Sequence, residues 1–279
     1  MPTFQRIEPA KPLQHLIQGY WQIETGKDPE FLDLVPDGFP EIAILLQGKV
    51  SMQSFGSENV EMPRAGVIGQ LTTRFHSYLH PYTKVLFIKM YPWTPKLLFK
   101  HPIYLLNNNV IELELLTADK LFRQLIIDIG NLDQLQKAAL LLDAYFLKKL
   151  AIIKLDSPFL IFSIQQIFQS NGMTSIDSLR QNIHASRRYV EKLFKNSIGV
   201  TPKQYARLIR VKKASIIMLQ ESFCGQVSTV AAELEYYDQS HFLKDFKSVV
   251  GMTPTQFLQH QFETSIIGKE QYLGQWDYS

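Results

Sequence analysis

Residues 185–205, ASRRYVEKLFKNSIGVTPKQY, and residues 237–257, YDQSHFLKDFKSVVGMTPTQF, are one 21-residue phrase written twice at a constant offset of 52. Seven pairs are identical: Lys192/Lys244, Phe194/Phe246, Lys195/Lys247, Gly199/Gly251, Thr201/Thr253, Pro202/Pro254 and Gln204/Gln256. Apolar matches at Val190/Phe242, Ile198/Val250 and Tyr205/Phe257 extend the likeness, so one supersecondary unit is used twice. In each copy a capping residue, Ser186 or Asp238, starts a helix, a glycine stops it, and a proline opens the next. Short helices expected over 175–183 and 228–234 precede the two copies across tight turns, which makes each unit a helix-turn-helix.

With Val190, Phe194, Ile198 and their counterparts facing inward, the outward face of copy one carries Arg187, Arg188, Glu191, Lys192 and Lys195. Copy two presents Gln239, Ser240, His241, Leu243, Lys244 and Lys247. Residues 180–213 hold ten basic side chains against the single acid Glu191, +9 in 34 residues. Residues 1–156, by contrast, balance 16 basic against 16 acidic residues, and the whole chain of 279 carries +3. A basic density without compensating acids suits a polyanion. On double-stranded DNA, Arg187 or Arg188 fits guanine O6 and N7, Gln239 fits adenine, His241 fits a base or a phosphate, and the lysines hold phosphates. One long helix expected over 202–221 holds the two readers apart, and a separation of about 34 Å puts both on the same face of a duplex.

Upstream, the periodicity is different. Short β-prone pieces at 19–23, 42–46, 67–68 and 84–91 are punctuated by Pro36-Asp37-Gly38, Gln47-Gly48-Lys49 and Tyr91-Pro92-Trp93-Thr94-Pro95. Such spacing predicts an antiparallel sandwich or barrel, not parallel units. From Thr117 a helical stripe of Leu121, Phe122, Leu125 and Ile126 is followed by a second of Leu135, Ala138, Ala139, Leu142, Phe146 and Leu150. These helices pack on their own β-domain or form a dimer seam. Asp156-Ser157-Pro158 breaks the pattern, so the boundary is placed there. The fold class is α+β multidomain: 1–156 β-rich with trailing helices, 157–260 all-α with units at about 175–198 and 228–250, and 261–279 an extension.

With two such units, a connecting helix and the recurring Phe…Gly-x-Thr-Pro ending in place, residues 157–260 resemble the DNA-binding domain of the AraC/XylS family of bacterial transcription regulators. Tyr237-Asp238-Gln239-Ser240-His241-Phe242…Phe246-Lys247…Gly251-Met252-Thr253-Pro254 looks like that family's C-terminal signature. The resemblance implies that the helices at 186–198 and 238–250 enter successive major grooves at promoter or operator sites and recruit or block RNA polymerase. Two residues depart from the pattern: Glu235 stands where a glycine is usual, and Leu243 where a small or polar residue is usual. Tyr20-Trp21, Val35-Pro36-Asp37-Gly38…Glu41-Ile42, Ile68-Gly69 and Tyr91-Pro92 resemble β-rich sensor domains attached to a subgroup of such regulators. That likeness implies a cupin-like barrel that binds a small-molecule effector, forms a homodimer, or both.

Other motifs carry less. His76 and His80 have metal-ligand spacing only on a helix, and Pro81 argues for strand or loop, so no metal and no cofactor is expected. Trp21, Tyr91, Trp93 and Phe99 line a pocket or fill the core, and the core reading is preferred. Asp37 and Glu41 look like paired carboxylates, yet Pro-Asp-Gly is first a turn. No nucleophile elbow, phosphate-cradling glycine loop or redox motif occurs, so no enzyme is expected. Cys224, the one cysteine, cannot form an intramolecular disulfide and reads as a packing residue in a turn. Apolar runs far shorter than the ~20 residues a bilayer needs, and an N-terminus without a secretory leader, predict a cytoplasmic protein without membrane contact. The competing readings are a cupin-like enzyme or metal-binding domain carrying a DNA tether, and an adaptor for acidic proteins.

Overall fold

In the computed structural model, residues 2–54, 59–150, 157–181, 185–220 and 225–263 are described. The boundary placed at Asp156, the end of the helix expected over 175–183, the turn with Cys224, and all but the start of the 261–279 extension lie outside them.

Two antiparallel sheets face each other. One runs in the order β1 (Thr3–Ile7), β2 (Ile17–Glu24), β9 (Lys84–Met90), β4 (Glu41–Gln47), β7 (Ala65–Ile68) and β10 (Val110–Glu112). The other runs β3 (Glu30–Leu34), β8 (Phe75–Leu79), β5 (Val50–Ser54) and β6 (Val60–Glu61). Between them Ile23, Leu32, Ala43, Met52, Ile68, Phe75, Leu79 and Val85 form one core, the alternate residues of facing strands. The larger sheet is buried on its second face as well, where Tyr20, Ile42, Ile44, Leu86 and Ile88 meet the helices. This double burial explains the near-continuous apolar runs of β4 and β9. The smaller sheet turns its outer face to solvent, with Phe31 65% exposed beside Tyr78.

Helices α1 (Thr94–Leu98), α2 (Leu113–Leu116), α3 (Lys120–Ile129) and α4 (Leu135–Leu150) follow, with 3-10 turns at Lys11–Leu13 and Ile103–Leu106. Of the stripe expected on α3, Phe122 and Ile126 are buried but Leu121 is 64% exposed, so Leu121 is not core. Helix α3 buries the face that carries Phe122, Ile126 and Ile129, and Leu121, in its Asp119-capped first turn, lies off that face. On α4, Leu135, Ala138, Ala139, Leu142 and Phe146 are buried as expected. Asp143 on α4 accepts from the Tyr20 hydroxyl at 2.8 Å and from the Ala10 amide at 3.1 Å, tying the helix to the sheet. Burial, and then the Asp143 charge, hold the Tyr20 phenol far above its usual pKa, so it remains a donor.

The remaining helices are α5 (Pro158–Gln169), α6 (Ile176–Gln181), α7 (Arg187–Ile198), α8 (Pro202–Leu219), α9 (Val227–Glu233), α10 (Gln239–Val250) and α11 (Pro254–Glu263). No helix among the described residues is long and apolar enough to cross a membrane. One hydrophobic cluster continues from Leu13 and Ile88 of the β-rich part through Phe168, Phe194 and Tyr205 to Ile209, and a second surrounds Phe242 and Phe246. The apolar packing therefore does not divide at 156: the first helix-turn-helix shares its core with the sheet.

Candidate nucleic-acid interface

Four of the seven repeat identities are helix punctuation. Thr201 accepts from the Gln204 amide while the Gln204 side chain accepts from the Thr201 amide, a capping box, and Thr253 and Gln256 do the same. Gly199 and Gly251 end α7 and α10 in the left-handed region, at φ 84° and 77°. Pro202 and Pro254 occupy the first turns of α8 and α11, where a missing N–H costs nothing. A fifth identity, Phe194/Phe246, is completely buried in both copies.

The two lysine pairs remain. Lys195 and Lys247 lie in the last turns of their helices, where a cation also suits the helix dipole. Lys192 and Lys244 lie earlier, exposed, and among the described residues neither has an acidic partner. Neither packing nor helix termination explains why the same lysine recurs there.

The structure brings the expected face of α7 together: Arg187, Arg188, Lys192 and Lys195 are exposed on it, and Ser186 caps its N-terminus by accepting from the Tyr189 amide at 3.2 Å. Glu191 is half-buried and accepts from Arg187 Nε at 3.1 Å, so it orients an arginine on this face. On α10, Gln239, Ser240, His241, Lys244 and Lys247 are exposed and Asp238 Oδ1 accepts from the His241 amide at 2.7 Å. Leu243 is half-buried against the second cluster, which places it at the edge of the core. Glu235 keeps the turn that a glycine would make, at φ 52°.

Three contributors were not singled out from sequence. Asp245 lies one turn after His241, 3.7 Å from its Nε2, and 3.8 Å from Arg207 of α8. The i, i+4 spacing of His241 and Asp245 was the available signal. Tyr237, 94% exposed just before the α10 cap, and the half-exposed Tyr189 on α7 add two aromatic side chains.

The basic stretch is not one surface. Lys212 is only 3% exposed, Arg210 donates to the Gly172 carbonyl at 2.9 Å, Arg207 faces Asp245 and Arg180 pairs with Asp177 at 2.6 Å. Helix α8 spans the gap between the units, and three of its cations, Arg207, Arg210 and Lys212, are turned inward, whereas Lys203 at its start is exposed.

Lys212 belongs to a charge cluster where α8 meets the sheets. Asp37 does make the expected turn, accepting from the Phe39 amide at 3.0 Å, but it also pairs with Lys89 of β9, and Glu41 lies 3.5 Å from the same ammonium. The two carboxylates are therefore an ionic pair of acceptors as well as a turn. Burial raises the Glu41 carboxyl to about 7 against the opposing pull of Lys89, and burial lowers Lys212 to about 7. Burial opposes the charge on Lys89 too, but Asp37 and Glu41 outweigh it and hold its pKa above the usual value.

His76 lies on β8, a strand as expected, and His80 just after it meets Ser51 Oγ at 3.2 Å. Among the described residues no three His, Cys, Asp or Glu side chains converge as a metal ion requires. Trp93 and Phe99 are core, whereas Trp21 and Tyr91 are half-buried, Trp21 lying under the Arg6 guanidinium and Tyr91 stacked on Trp93.

Residues 179–260 match a family profile described as a helix-turn-helix domain, and residues 5–112 match one described as a domain of unknown function. The lactose operon transcription activator of Staphylococcus xylosus is 24% identical over 86 residues, 31% of this chain and 30% of that protein. An uncharacterized HTH-type transcriptional regulator, YidL of Escherichia coli, is 30% identical over 86 residues, 31% of this chain and 28% of that one. The match spans less than a third of the length of these curated relatives. Among solved structures, ToxT of Vibrio cholerae aligns over 93% of this chain and 97% of its own, at 12% identity and a TM-score of 0.46.

Proposed function

We propose that this chain, whose residues 179–260 are a helix-turn-helix domain of the AraC type, is a sequence-specific transcription regulator in which α7 and α10 read successive major grooves of double-stranded DNA. The observation that carries this reading is Lys192/Lys244: identical in both copies, exposed in both and, among the described residues, without an acidic partner. Arg187, Arg188, Gln239, Ser240 and His241 sit in the first turns of their helices, where side chains reach base edges, and the lysines follow along the phosphates. Glu191 sets the Arg187 guanidinium, and Asp245 lies one turn from the His241 ring at 3.7 Å.

The β-rich part, residues 1–156, acts as the effector-sensing or dimerising module, and residues 157–260 as the reader. Exposed Leu121 and Leu140 on α3 and α4 support a homodimer. Promoter binding with recruitment or blocking of RNA polymerase, in the cytoplasm and without catalysis, completes the reading. The test is selection of bound duplexes from random DNA by the full-length protein near 0.15 M salt. An enriched motif with two elements about one helical turn apart is expected. Salt-sensitive binding with no enriched sequence would overturn it.

A further inference from the structure

Both recognition helices are held near their C-terminal ends by neighbouring loops of the β-rich part. Helix ends leave carbonyls without intrahelical partners. At the end of α7 the Asn107 side chain donates to the Gly199 carbonyl at 2.7 Å, and Lys96 Nζ reaches Ser197 Oγ at 3.3 Å. At the end of α10 the Arg74 amide donates to the Val249 carbonyl at 3.0 Å, while an Arg74 guanidinium nitrogen lies 3.8 Å from Met252 Sδ. Ser197 and Val249 are the same position of the repeat, one 52-residue offset apart.

The two grips are joined. Asn108, at φ 53°, accepts from the Thr72 amide at 2.7 Å and donates to the Thr72 hydroxyl at 2.8 Å. The Asn108 amide donates to Gln70, and the Gly69 amide donates to Asn109. A Cβ at Gly69 would lie 1.9 Å from the Leu106 carbonyl oxygen, so the two loops are pressed together with no room for a side chain. Both loops leave the same end of the β7 and β10 pair, which anchors them in the larger sheet.

We propose that this joined rim, residues 69–74 with 106–109, is a strut that fixes the separation of α7 and α10 and thereby the spacing between the two halves of the DNA site. Helix α8 connects the units on one side and the rim ties their C-terminal ends on the other, so neither helix turns without the sheet. Asn107 and Asn108 are positioning residues: Asn107 touches the end of α7, Asn108 ties its loop to the one that holds α10, and both leave the exposed faces of α7 and α10 free. The inference rests on the reading of those helices as DNA readers.

The experiment uses the full-length protein, the wild type's selected duplex, and duplexes with one or two base pairs inserted or deleted between its halves. One inserted pair moves the far half by about 3.4 Å and turns it by about 35°. Wild type is expected to lose about tenfold in affinity per step. Asn107→Ala and Asn108→Gly are expected to lose about threefold or less per step, with a smaller change at the selected spacing. Glycine keeps the left-handed backbone at 108 and removes only the two bonds to Thr72, and a thermal melt checks that both variants fold. A wild type that selects no sequence sinks the reading of the helices. A wild type indifferent to spacing, variants that keep the wild-type penalty, or variants weakened equally at every spacing overturn the strut alone.

Discussion

The Tyr205 hydroxyl, near the start of the helix that links the two reading units, donates at 3.1 Å to the carbonyl of Gly38, 167 residues earlier in the turn of the β-rich part. Tyr205 is completely buried, and burial followed by the Asp37 charge holds its phenol well above the usual pKa, so it donates throughout the accessible pH range. Gly38 sits at φ 90°, and a Cβ there would lie 2.8 Å from both Ile209 Cδ1 and the Tyr205 oxygen.

Tyr205→Phe, which leaves the Gly38 carbonyl without its donor, is expected to lose about 1–2 kcal/mol in a urea melt. Gly38→Ala adds a strained left-handed residue to a steric clash and is expected to lose about 2–4 kcal/mol. A Gly38→Ala protein as stable as wild type would show that the turn and α8 are not pressed together.

The charge cluster beneath that turn predicts a pH dependence with two limbs. Lys212 has its folded pKa lowered to about 7 from 10.5, so between pH 7 and 10 the unfolded chain binds more protons and stability rises with pH. Glu41 has its folded pKa raised to about 7 from 4.5, so between those values the folded chain binds more protons and stability falls as pH rises. The protein is therefore expected to be least stable near neutrality. Each limb has a limiting slope of about 1.4 kcal/mol per pH unit. Lys212→Met should abolish the alkaline limb and keep the acid one. Denaturant melts from pH 5 to 9 read both, and an unchanged alkaline limb in Lys212→Met would assign that proton elsewhere.

Glu235 is the residue that departs from the glycine usual before a second recognition helix, and it nonetheless takes the conformation that glycine would, at φ 52°. A left-handed non-glycine residue costs about 1–2 kcal/mol, and glycine returns about 0.5–1 kcal/mol of that as unfolded-chain entropy. Glu235→Gly is expected to stabilise the protein by up to about 1 kcal/mol without changing its preferred sequence. A loss of stability would mean that the Glu235 side chain contributes more than the strain costs.

Local chemistry made the C-terminal part legible: caps, glycine stops and first-turn prolines are written within a few residues of where they act, and α7 and α10 begin after Ser186 and Asp238 and end at Gly199 and Gly251 as the spacing predicts. In the β-rich part the doubly buried strands β2, β4, β7 and β9 stood out as apolar runs. The half-exposed β1, β3, β5 and β8 and the two- and three-residue β6 and β10 carry no such run, since one face or an edge meets water. The Asp37, Glu41, Lys89 and Lys212 cluster was illegible for another reason. Its members come from a turn, two strands and a distant helix, and only the shared core brings them together.

Arg188 and Lys192 separate sequence reading from charge. Arg188 is in the first turn of α7, exposed, and among the described residues has no acidic partner, which suits a bidentate contact to guanine. Arg188→Ala is expected to cost about 1–3 kcal/mol on the selected duplex and to relax preference at one base pair, with little change on unrelated DNA. Lys192, two turns from the helix end, is placed for phosphate, so Lys192→Ala should weaken all duplexes alike and reduce the slope of log affinity against log salt by about 1. Measuring both variants by anisotropy on selected and scrambled duplexes, from 50 to 200 mM salt, distinguishes the roles. Equal loss on every sequence from Arg188→Ala would move base reading to Arg187, whose guanidinium Glu191 already orients.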